Sequence, residues 1–180
     1  DQVAALSNSQ MQALTTAQVA GMSSGQIKSL TTAQVAGLSM AQVKALETED
    51  LAEMTTDQIA ALSAANVAAL STNQVTNMKT AQVAALTGAQ VKTLTTAQVA
   101  AMTTGQISNM TTSQVAALSV SQVKAMETDD LAAMGTAQVA ALASANVAAL
   151  STSQVANMTT TQVASMTAGQ VRAMSKAQVA

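Results

Sequence analysis

The chain has no cysteine, proline, histidine, phenylalanine, tryptophan or tyrosine in 180 residues. Without cysteine there is no disulfide framework and no thiolate metal site. Without aromatics, the usual anchors of cores, pockets and interfaces are missing. Without histidine, cysteine or tyrosine, a general base would have to be a carboxylate or lysine held in a pocket. A thin repetitive chain offers none, so the sequence is not that of an enzyme, and no cofactor is expected.

Charge is scarce too, at 9% of residues, with seven basic and nine acidic side chains and a net charge of −2. Scattered basic residues and a pI near 4.8 exclude nucleic acid as a partner, because phosphate binding needs clustered Lys and Arg. Polar residues interrupt every apolar stretch, and none approaches the ~18 residues of a membrane span. No signal peptide is visible, and the first residue is Asp1 rather than Met. The expectation is a trimmed or excised piece.

What is present is a repeat. Glutamines recur every eight residues from Gln2 to Gln178, with Asp50, Asn66, Asp130 and Asn146 as the only substitutions. Val, Ile, Leu or Met always follows, and Leu or Met stands four residues after in every complete octad. Ser or Thr stands three before in 17 of 22 cases, giving [S/T]-x-small-Q-V-A-A-[L/M].

Eight residues at about 100° each advance 80° beyond two turns. On a continuous helix the apolar stripe would wind right round, so that reading fails. Alternation suited to a strand is missing as well. The octad fits one short helix plus a turn. Thr95 and Gln98 occupy the two places of a capping box, and Leu94 and Val99 those of a hydrophobic staple. Helices this short cannot persist alone because nucleation is costly, so they must stack. The predicted fold is all-α: a solenoid of very short capped helices, one per octad.

The position two after each glutamine is Ala in alternate octads, from Ala4 through Ala20 to Ala180, and often long or polar between them, as at Lys28 and Lys44. Read as close packing on one member of a pair, this alternation predicts two helices per 16-residue coil. A longer period is eighty: 52 residues are identical between 1–80 and 81–160, with 161–180 a partial third unit. No linker or composition shift divides residues 1–180, which are expected to form one continuous array. Neither end departs from the octad, which predicts either a longer array or contact with another copy.

Candidate sites lie in the departures. Glu47, Glu49 and Asp50, like Glu127, Asp129 and Asp130, bring carboxylates together, and carboxylate oxygens suit Ca²⁺. The same residues occupy the N-cap, N2 and N3 places, where negative charge favours the helix dipole, and neither run has EF-hand spacing. Met40 and Val120 replace the usual polar residue and are candidates for a lateral contact, or else scattered exposed apolar side chains. Pairs such as Thr31–Thr32 could offer hydroxyls to a surface or glycan, although the first of each pair is assigned to capping.

The run 94–119, LTTAQVAAMTTGQISNMTTSQVAALS, resembles the octapeptide arrays L-[ST]-x-x-Q-[VI]-x-x of very large bacterial surface or secreted proteins, often labelled adhesin-like or haem-utilisation-like. The resemblance implies an extracellular or cell-surface setting and a stalk, fibre or spacer. Only a Met could ligate haem here. Two functions follow: a structural fibre or spacer that self-associates end to end or laterally, or an adhesive, ligand-binding or Ca²⁺-binding surface module.

Overall fold

The computed structural model describes residues 2–179. Among them is one 3₁₀ turn, Val3–Ala5, followed by twenty-two helices of four to six residues, one in each octad. No strand occurs among the described residues.

Most sides of the solenoid begin at a Ser/Thr cap. Thr95 Oγ1 accepts from the backbone N–H of Gln98 at 3.1 Å, and Gln98 Oε1 accepts from Thr95 N at 2.7 Å. These two bonds satisfy donors that every helix start leaves open. The side ends when the backbone turns extended at two residues in succession. Leu94 has φ −54°, ψ 132° and Thr95 has φ −71°, ψ 158°. No described residue other than glycine has positive φ, and no described glycine has it either. The corner therefore needs neither proline nor a left-handed glycine, which accounts for a repeat protein that lacks the first and uses little of the second.

The stacking corrects the predicted coil. Every described element packs against the one three further along, as Gly88–Thr93 does against Thr112–Ala117. Three octads of eight, 24 residues, therefore complete one coil, rather than the two helices and 16 residues that the Ala alternation suggested. The physical reason is twofold. A two-helix coil needs a chain reversal at each corner, but two extended residues turn the chain by only about a third of a revolution. The position two after each glutamine also lies on the outer surface, half-buried at Ala20 and exposed at Ala36 and Lys44. Its size does not report close packing. Stacked helices lie about 8–10 Å apart, so some seven coils make a three-sided column about 60–75 Å long.

The core is a single column. Through most of the column the residue after each glutamine is sealed from solvent, with Val35, Val67, Val99 and Val139 all at 0% exposure, whereas Val163, Val171 and Val179 in the last coil are exposed. The Leu or Met at the corner, such as Leu46, Leu70 and Met126, is buried beside that residue through most of the column and partly buried towards its ends. Full burial of such side chains stabilises by about 1.5–3 kcal/mol each. The octad's two apolar positions are thus the large apolar side chains the column encloses, and three of each suffice per coil.

Candidate functional site: a glutamine ladder at the corners

The third buried position is polar. Gln34, Gln58, Gln98 and their equivalents up to Gln170 are as enclosed as the valines. In each, Oε1 closes the capping box while Nε2 reaches across a coil. Gln98 Nε2 donates to Val67 O at 2.9 Å and to Leu70 O at 2.8 Å, 31 and 28 residues back. The same pair of bonds recurs from Gln34, which reaches Val3 O and Leu6 O, to Gln178, which reaches Val147 O and Leu150 O. Each glutamine thereby joins the N-terminus of one helix to the open C-terminal carbonyls of a helix in the coil beneath. Val67 O also accepts from the Leu70 N–H that ends its helix, but Leu70 O has no local donor, and a buried unpaired carbonyl is costly. No buried side-chain nitrogen or oxygen of the described residues lacks a partner.

Sequence reasoning found the capping box but missed the ladder. Its signal was the near-exclusive choice of glutamine. A capping box accepts Glu as readily as Gln, but only an amide also offers two N–H donors.

The substitutions grade this function. Asn66 Nδ2 keeps the bond to Leu38 O at 2.8 Å, and Asn146 keeps that to Leu118 O at 2.9 Å. One methylene shorter, neither makes the 31-residue bond. Asp50 and Asp130 have no amide. Asp50 Oδ1 accepts from Ser24 Oγ at 2.7 Å, and Asp130 Oδ2 accepts from Glu127 N at 3.3 Å. Both are buried, at 5% and 3% exposure. Burial pushes the Asp130 carboxyl above the ordinary carboxylate range. The Glu127 and Asp129 charges add to this, while hydrogen bonding from the Thr104 side chain and the Glu127 backbone opposes it.

The candidate Ca²⁺ residues do sit at the N-cap, N2 and N3 places, on the helices Thr48–Glu53 and Thr128–Ala133. Among the described residues, no three acidic side chains converge in a way that could hold a metal. Glu47, Glu49, Glu127 and Asp129 are exposed, while Asp50 and Asp130 turn into the ladder.

Met40 and Val120 are both exposed, at 55% and 38%. Ten octads separate them, which is three coils and one further side, so they lie on neighbouring sides of the column rather than on one. A shallow hollow at the corner above Glu127 is lined in part by Lys124, Glu127, Thr128 and Ser151. It is open and carries charges of both signs. The exposed ion pair of Lys79 and Glu53, at 2.9 Å, holds the Glu53 carboxyl below the usual range, chiefly through its hydrogen bond with Lys79. No described helix is long and apolar enough to cross a membrane.

Fold and ladder define a repeat protein of the α-solenoid class, in which each coil is held to the next by the same few side chains. The pattern of the ALTTAQ repeat matches residues 16–46, 43–80, 75–104, 96–126 and 123–160, and the chain belongs to that repeat family. The matched spans 16–46 and 96–126, like 43–80 and 123–160, are offset by eighty residues. No curated protein matches the chain.

Proposed function

We propose that the chain is a structural spacer: a column whose length is set by the number of octads, serving as part of a stalk or fibre. One observation carries this reading. Every coil presents amide N–H groups on one face and open carbonyls with a Val/Leu floor on the other, so any coil can seat another. Such a column lengthens without changing its section. The scarcity of charge and the lack of aromatics favour a mechanical role over a chemical one.

The same complementarity of faces supports end-to-end association of copies, with the amides of one column meeting the carbonyls of the next. A setting outside the cell or at its surface, the one the octapeptide resemblance implies, would suit such an array. An adhesive surface is the second reading. It rests on the hollow at Lys124, Glu127 and Ser151 and on the exposed second hydroxyls such as Thr32 and Thr56, which offer hydrogen bonds to a glycan or surface.

Electron microscopy of purified arrays of different octad number tests the spacer directly. Rods should lengthen by about 8–10 Å for each 24 residues added. Compact particles whose diameter grows in all directions would refute it. Light scattering across concentration tests association: a mass independent of concentration removes that part of the proposal and leaves the spacer standing.

A further inference from the structure

Nineteen corner positions, every eighth residue from 34 to 178, lie where a side chain can reach the coil beneath. Fifteen are glutamine, two asparagine, and two aspartate, Asp50 and Asp130. At Asp130 the carbonyls that a glutamine would serve belong to Val99 and Met102, 31 and 28 residues back. An ionised carboxylate offers them only more acceptors. Asparagine shows what a side chain of this length can do with a donor: Asn146 Nδ2 bonds Leu118 O at 2.9 Å, 28 residues back, from the corresponding place. A protonated aspartic acid has the same reach and one O–H donor.

We propose that Asp130 is a proton-operated rung of the ladder. With the carboxyl protonated, its O–H donates to Met102 O and joins the two coils as Asn146 does. With it ionised, the rung is open, and this corner becomes the weakest junction of the column. The proton comes from solvent and returns to it, and no other bond changes.

The surroundings favour the proton. Asp130 is 3% exposed. Its own helix brings Glu127 and Asp129, both negative. The helices packed below and above, Thr104–Ser108 and Thr152–Ala156, carry no charged or titratable residue. Lys124 lines the outer hollow together with Glu127. Asp50 differs: the helix packed below it, Ser24–Ser29, carries the cation Lys28, whereas the helix below Asp130 carries none. The proposal is therefore confined to Asp130.

The sign follows from linkage. A carboxyl raised above 3.8 on folding favours the folded state when protonated. Its contribution is fully present below that value and is lost as pH rises through the folded-state value. The experiment compares the melting temperature of the chain with that of Asp130→Asn between about pH 3 and 7, alongside an NMR titration of the Asp130 carboxyl carbon. The variant should melt higher near neutrality, and the gap should close on acidification with the midpoint of the carboxyl titration. A gap independent of pH, or a carboxyl midpoint at or below 3.8, would overturn the proposal. So would closure of the gap at neutral pH by added Ca²⁺, which would make the carboxylate a cation ligand.

Discussion

Gln98 Nε2 lies 2.8 Å from the carbonyl oxygen of Leu70, a residue 28 positions earlier in the chain and one coil below. That bond joins local to long-range structure, because the same amide caps its own helix through Oε1. Replacing Gln98 with Glu retains the cap and turns the donor into a buried negative charge beside two carbonyls. The expected loss is about 3 kcal/mol or more, since breaking a buried pairing leaves a charge uncompensated. Urea unfolding of the variant at neutral pH checks it. A loss no greater than that of an exposed substitution would mean the ladder contributes little.

Asn66 offers the opposite experiment. Asn66→Gln restores the missing methylene and with it a second bond, to Val35 O, as well as the box to Ser63 N. The expected gain is about 1–3 kcal/mol, the usual net worth of two hydrogen bonds. The measurement is the same unfolding transition, with a shift to higher denaturant.

Caps vary along the chain in a way that can be tested in both directions. Thr95→Ala removes a hydroxyl that accepts from Gln98 N and should cost about 1 kcal/mol. Ala143 already lacks such a hydroxyl: it is the cap of Ser144–Ala148 without a side-chain bond. Ala143→Ser should stabilise by a similar amount.

Glu53 and Asp130 should respond to acid with opposite sign. The Glu53 carboxyl is lowered from 4.5 by its hydrogen bond with Lys79 and by the charge of Lys79. Its contribution is present above that value and is lost as pH falls through the folded-state value. The pair is exposed on both sides, so salt should screen it. Glu53→Gln should therefore reduce the salt dependence of melting at neutral pH, whereas Asp130→Asn should leave it unchanged.

Much of this was legible in the octad. Thr95 and Gln98 stand at capping-box spacing, and Leu94 and Val99 at staple spacing, so the helix, its start and its buried face follow from local chemistry. The number of sides per coil does not. It depends on the angle turned by Leu94 and Thr95, and nothing in the side chains at these corners states that angle. The alternation of Ala20 and Lys28 misled because both positions face outward. Asp130 was read as a charge at a helix start, which it is. Its second role became visible only once the coil length placed Met102 beneath it.

Three octads per coil is the central claim, and a designed disulfide tests it most directly. A Cβ built at Gly88 lies 3.5 Å from Ala117 Cβ in the next coil, within the span of a disulfide, and the chain has no other cysteine. Mass spectrometry of oxidised Gly88→Cys/Ala117→Cys should find an intramolecular bond, while Gly88→Cys/Thr104→Cys, sixteen residues apart and on different sides, should remain reduced. Ready closure of the second pair and failure of the first would contradict the three-sided column.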